Sequence, residues 1–196
     1  MTMTKQGKET RRVILEATWK VLGLRKGVPF NLDEVAKVAK VSRQGLYLHY
    51  GTKTELFLRA VAHMREKLGY DDLLAGVASA ATADAALATL LDAHVELTPR
   101  FMRAARALEA ERVRDPAMEA AFAARKSDRR ELCGALAERL AKDKRLAAGW
   151  AADDVADLLW VMTSAGVTED LLVRRGWTHA QLRKRLGGMC ETFLKK

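Results

Sequence analysis

Residues 31–56, NLDEVAKVAKVSRQGLYLHYGTKTEL, decide how this chain folds, because they encode two short helices, a tight turn between them and the start of a third. Asn31 is a good N-cap, and Glu34 three positions later completes an Asn form of the capping box, so the first helix is expected to begin at Leu32. Leu32, Val35, Ala36 and Ala39 recur at helical spacing and face inward, with Ala36 small where a second helix must cross closely. Val41 serves as an apolar plug in the turn, Ser42 can cap the next helix, and Leu46 points back into the same core. The pattern is that of a helix-turn-helix.

The second helix carries what such a unit needs in a DNA major groove. Arg43 and Gln44 in its first turn can reach base edges, and Tyr47, His49 and Tyr50 flank them. Lys53 opens the following helix, where a helix N-terminus and a cation together suit a phosphate. The order S-R-Q-G-L-Y-L-H-Y-x-x-K from Ser42 to Lys53 resembles the signature of the TetR family of transcriptional regulators. In that family a Ser, a Leu-Tyr pair, a His-aromatic pair and a Lys recur at the spacing of Ser42, Leu46, Tyr47, His49, Tyr50 and Lys53. The resemblance takes in Val13, Ile14, Ala17 and the Val35-Ala36 pair, and so covers about residues 10–60. It implies an all-α protein in which an N-terminal three-helix DNA-binding domain, residues 1–52, precedes a helical effector-binding and dimerisation domain, residues 53–196. The residues assigned to DNA are Asn31, Lys40, Ser42, Arg43, Gln44, Gly45, Tyr47, His49 and Lys53.

Two positions depart from the family pattern. Lys40 stands where the family usually has a turn glycine, and Gly45 where it has a hydroxyl or small residue. A non-glycine residue in the left-handed region is strained by about 1 kcal/mol, and a glycine inside a helix costs roughly 0.5–1 kcal/mol against alanine. Lys40 adds a candidate phosphate contact. Gly45 either withdraws a side chain from the DNA or lets the backbone approach the groove closely.

Charge is concentrated near the motif. Residues 1–53 hold eleven Lys or Arg against four Asp or Glu, a net +7 of the chain's +9. Such a field favours a phosphate backbone and makes affinity salt-dependent, although without the motif a solvated, solubilising surface would explain it as well. The basic start, with Lys5, Lys8, Arg11 and Arg12, reads either as an arm for phosphates or a minor groove, or as a solvated tail.

With 196 residues, 49% of them apolar, the chain is long enough for a small domain and a larger one. Its start, MTMTKQGKETRR, lacks the apolar core of a signal peptide, and no run is apolar enough to span a membrane, so cytoplasmic residence is expected. Cys133 and Cys190 lie far apart without a CxxC pattern and read as buried free thiols. His49, His63, His94 and His179 are scattered, and no GxSxG, HExxH or phosphate loop occurs. Asp153, Asp154 and Asp157 suit a helix start better than a metal. No catalytic residue, metal or cofactor is expected.

The remaining sequence divides into helices. One is expected over about residues 8–24, with Ile14, Ala17, Val21 and Leu24 on a single face and Trp19 as packing; a second runs from Lys53 to about Leu68 and can resume over 71–81. Others are expected over 83–97, from Thr98-Pro99 onward, from Asp115-Pro116 to about 142, over 153–173, and from Thr178 to the end. Pocket candidates are His94, Met102, Arg106, Met118, Phe122 and Trp160, for each of which core packing is the stronger reading. The helix over 153–173 carries apolar residues on both faces, and the last helix holds Gly187 and Gly188 in its middle, where another helix could approach closely. These features point to a two-fold homodimer through Trp160, Val167, Leu171, Leu182, Leu186, Gly187, Met189 and Phe193.

The expected function is therefore a ligand-responsive transcriptional regulator, a repressor that binds a palindromic operator in double-stranded DNA as a homodimer and is released by a small molecule. The alternative is a helical protein that binds DNA architecturally, with no effector and no sequence choice.

Overall fold

The structure, a computed structural model, describes residues 5–24 and 30–195. Among the described residues there are ten α-helices and no strand, only an isolated antiparallel bridge between Leu146 and Leu194. The all-α expectation holds. The chain packs as two compact units, one of residues 1–69 with 103–122, the other of residues 70–102 with 123–196.

The first unit opens with α1 (Lys5–Leu24), which begins three residues earlier than expected, so the basic start is helical rather than an extended arm. Arg12 pairs with Glu9 at 2.6 Å and with Glu16 at 3.1 Å along this helix. Helices α2 (Leu32–Ala39) and α3 (Arg43–Tyr50) form the helix-turn-helix, and α4 (Lys53–Lys67) follows it. Asn31 caps α2 by accepting from the amide of Asp33 at 2.9 Å, one residue earlier than a capping box would have it. Helix α1 packs on both α2 and α4. Ile14, Val35, Leu46 and Leu56 are buried between these helices, and the rings of Phe30 and Phe57 stack at 6.0 Å. Ala107, Leu108, Met118 and Phe122 belong to the same core.

That core bears on two expectations. Leu56, Phe57 and Ala60 of α4 are buried with α1–α3, and the compact unit that holds them runs on past residue 52 to Gly69. Met118 and Phe122, named as pocket candidates, are 1% and 6% exposed in the core of the first unit.

The second unit contains α5 (Tyr70–Ser79), most of α6 (Ala83–Glu111) and most of α7 (Pro116–Lys142). It continues through α8 (Ala152–Met162), α9 (Ala165–Glu169), a π-helical turn (Asp170–Arg174) and α10 (His179–Cys190). Asp115-Pro116 opens α7 as expected, with Asp115 Oδ1 accepting from the amides of Ala117 at 2.9 Å and Met118 at 3.4 Å. Thr98-Pro99 does not start a helix. Pro99 lies inside α6, and the Thr98 hydroxyl contacts His94 Nδ1 at 2.8 Å instead of capping a new helix. Burial of Leu90, Leu91, Ala104 and Ala107 on either side holds α6 continuous against the missing proline N–H.

The single helix expected over 153–173 is broken at Thr163-Ser164, where Ser164 caps α9 through the Val167 amide at 3.2 Å. The break removes the need for one helix to bury two opposite faces. Leu182, Leu186 and Phe193, expected at a dimer interface, are 0%, 2% and 0% exposed within their own unit. Cys133 and Cys190 are buried free thiols, with burial raising both pKa values, that of Cys190 to about 12. No described helix is long and apolar enough to cross a membrane.

Candidate nucleic-acid interface

Helix α3 is short, and its polarity is divided cleanly. Eight residues span about 12 Å, comparable with the width of a DNA major groove. Leu46 and Tyr50, one turn apart, are buried at 2% and 8% exposure and fasten the helix to the core. The Tyr50 hydroxyl donates to the Arg11 carbonyl at 3.0 Å, and burial pushes its pKa up to about 12, so it stays a donor. Arg11 returns the contact by donating to the His49 carbonyl at 3.0 Å, close to the C-terminus of α3. Arg11 is thus a strut between α1 and α3.

The opposite face is open. Ser42, Arg43, Gln44, Tyr47 and Leu48 are all exposed. Ser42 is the N-cap, its hydroxyl accepting from the Gly45 amide at 3.0 Å, which fixes where the helix and its exposed face begin. A Cβ at Gly45 would sit 3.3 Å from that hydroxyl, so glycine there leaves room for the cap. Lys40 adopts φ 56° and ψ 41°, the left-handed turn conformation, and its side chain is exposed. His49 is half-buried, and Asn31 is exposed at the N-terminus of α2.

Arg43 is not loose in solvent. Its guanidinium lies 3.2 Å from both carboxylate oxygens of Asp33 on α2 and is hydrogen-bonded to Tyr47. Both partners of the ion pair are more than half exposed, and such pairs contribute only about 0–1 kcal/mol, so a base or phosphate can displace Asp33. Lys53 is held more firmly. Its ammonium pairs with Glu111 and lies 4.9 Å from the centre of the Phe30 ring.

The sequence reading overlooked Leu48, Glu111 and Arg129. Leu48 is 79% exposed on the open face of α3, and its place beside Arg43, Gln44 and Tyr47 on the helical wheel was the available signal. Glu111 is 58 residues from Lys53, so nothing local announced the pair.

The pocket candidates are distributed between the units: His94, Met102 and Trp160 in the second, Arg106, Met118 and Phe122 in the first. His94 is buried in the second unit, with Nδ1 2.8 Å from Thr98 and Nε2 2.8 Å from Thr168. Thr168 donates its hydroxyl to the Ser164 carbonyl, so it accepts from Nε2–H, and Thr98 donates to Nδ1. Burial, reinforced by Arg129, lowers the His94 pKa to about 4 and keeps the ring neutral. This is a satisfied core histidine. Beside it, Arg129 donates to the Trp160 carbonyl, approaches Thr163 at 3.4 Å and lies 5.0 Å from the Trp160 ring.

Residues 14–60 match the sequence model for bacterial regulatory proteins of the tetR family. No curated protein sequence matches the chain. Among solved structures, a transcriptional regulator from Saccharomonospora viridis in complex with choline is similar at TM-score 0.81 and 19% identity, covering 96% of this chain and 100% of that one. A TetR transcription regulator from Haloarcula marismortui matches at TM-score 0.74 and 17% identity over 96% and 100% of the two chains. NalD of Pseudomonas aeruginosa, the secondary repressor of the MexAB-OprM multidrug efflux pump, matches at TM-score 0.70 and 21% identity over 98% and 99%.

Proposed function

With a TetR-family DNA-binding domain at residues 14–60 and the fold of TetR regulators as premises, we propose that this chain is a cytoplasmic, effector-responsive repressor that binds a palindromic operator as a homodimer. The observation that carries the reading is the exposed face of α3, where Arg43, Gln44, Tyr47 and Leu48 are presented by a helix anchored through Leu46 and Tyr50. Arg and Gln are matched in hydrogen-bonding geometry to guanine and adenine edges, and an exposed leucine suits a thymine methyl. Arg43, Gln44, Tyr47, His49 and Leu48 form the base-reading set, with Lys40 and Lys53 at phosphates. Asn31, Ser42 and Gly45 shape and orient the helix.

A two-fold dimer would set two such helices roughly 34–36 Å apart, or a multiple of that, for successive major grooves. Support for a dimer lies in the second unit: Leu158, Val161 and Met189 are exposed apolar residues, and a Cβ at Gly188 would meet nothing within 4 Å. Trp160, Val167 and Leu171, partly buried, remain candidates for its edge.

Release by a small molecule is proposed by analogy with the choline-bound relative and with NalD as a repressor. The chemistry around Trp160 departs from a quaternary-ammonium site. Arg129 at 5.0 Å and Lys126 at 5.8 Å already occupy the ring's surroundings, so a cationic ligand would meet like charge there and an anionic one would be favoured.

Selection of bound duplexes from a random pool, followed by titration of the recovered site and of a scrambled duplex at several salt concentrations, tests the reading. A palindrome bound at least about 10³-fold more tightly than the scrambled duplex is expected. Equal binding at every salt concentration would overturn it in favour of a protein without sequence choice.

A further inference from the structure

Lys53 opens α4, where the reading head needs a cation for the DNA backbone, yet its charge is already spoken for inside the first unit. Glu111, the last residue of α6, takes its ammonium in an ion pair in which the glutamate side chain is only 15% exposed and the lysine 33%. Immediately beside it, the Thr54 hydroxyl donates to Asp115 Oδ2, while the other oxygen of Asp115 caps α7. The corner between α6 and α7 therefore grips the first turn of α4 at two adjacent side chains. The neighbouring cation of that corner is engaged elsewhere: Arg112 pairs with Glu119 at 2.8 Å and lies 4.5 Å from the centre of the Phe122 ring. Among the described residues Glu111 has no ion-pair partner other than Lys53.

A carboxylate and a DNA phosphate make the same demand on a lysine, a counter-charge and a hydrogen-bond donor, and each repels the other when both approach it. We propose that Glu111 competes with the DNA phosphate for Lys53 and is thereby a positioning residue that holds DNA affinity below what the reading head alone would reach. The inference rests on the regulator reading for its DNA partner. Because the contest is over a backbone phosphate, it acts on any duplex and not only on the operator. The partial burial of the glutamate is what separates this pair from the exposed Arg43–Asp33 pair: less screening by water makes the carboxylate a stronger rival.

The test uses the full-length protein and a mixed-sequence duplex of about two helical turns, ~21 base pairs, titrated across a series of salt concentrations. Glu111→Gln should raise affinity about three- to tenfold and steepen the slope of log K against log salt by about 1, the signature of one more phosphate contact. Glu111→Asp, which keeps the net charge but withdraws the carboxylate by one methylene, should give a smaller gain in the same direction. In a Lys53→Met background Glu111→Gln should change nothing. Helix content and melting temperature confirm that each variant is folded, and Glu111→Asp serves alone if the glutamine variant is not. Unchanged affinity and slope in Glu111→Gln, or a gain that survives in Lys53→Met, would overturn the proposal while leaving the regulator reading intact. A wild-type protein that binds no duplex would end both.

Discussion

Lys40 holds the turn of the helix-turn-helix at φ 56°, a conformation that costs an L-residue about 1 kcal/mol and glycine almost nothing. Lys40→Gly should therefore raise stability by about 1 kcal/mol, seen as a later denaturation midpoint, and should weaken DNA binding at low salt if the lysine meets a phosphate. A variant that gains stability and keeps its full affinity would remove Lys40 from the interface. Leu48 makes the opposite kind of test. At 79% exposure it contributes little to folding, so Leu48→Ala should leave the melting temperature within error and lower operator affinity by up to about tenfold. The sequence reading missed it because a leucine among helical apolar positions is ordinarily assigned inward. Only its phase relative to Leu46 and Tyr50, both buried, puts it outside.

Among the elements, the ends were more legible than the middles. Ser42, Asp115 and Thr178 cap or open helices where their side chains accept from nearby amides, because that chemistry is local and written in adjacent residues. Asp115→Ala removes the cap of α7 and its contact with Thr54, and should cost about 1–2 kcal/mol in chemical denaturation; a loss below a few tenths would mean that the corner between α6 and α7 does not depend on it. The two misread elements, α6 and the segment after α8, failed for the same reason in opposite directions. Burial on both sides of Pro99 carries α6 through a residue that would normally end it. Ser164, unremarkable in sequence, ends a helix that apolar periodicity would have continued.

At the scale of the molecule, two properties separate the units. The buried, neutral His94 makes the second unit sensitive to acid. Its folded-state pKa of about 4 lies below the ordinary 6.5, so the unfolded chain takes up a proton first as pH falls. Stability present above pH 6.5 should decline progressively between 6.5 and 4 by on the order of 3 kcal/mol, and His94→Gln should flatten that part of the profile. Denaturation midpoints of the two proteins across this window check it, and parallel profiles would count against the histidine as the cause. Dimerisation is tested at the exposed residues. Val161→Glu and Met189→Glu should yield folded monomers by sedimentation, whereas Leu186→Glu should unfold the second unit, since Leu186 is only 2% exposed in its own core.

Local chemistry was decided by the order of residues alone: an all-helical chain, a helix-turn-helix between Asn31 and Lys53, the αL turn at Lys40, and a basic first quarter. Caps, turns and amphipathic phase act over a few residues, so a sequence displays them directly. The partners of Lys53 and Arg43, the internal hydrogen bonds of His94, the burial of Leu182, Leu186 and Phe193, and the inclusion of residues 103–122 in the first core were decided by tertiary structure. Each depends on which distant side chains meet. A helix specifies the phase of its faces but not the identity of what will cover them.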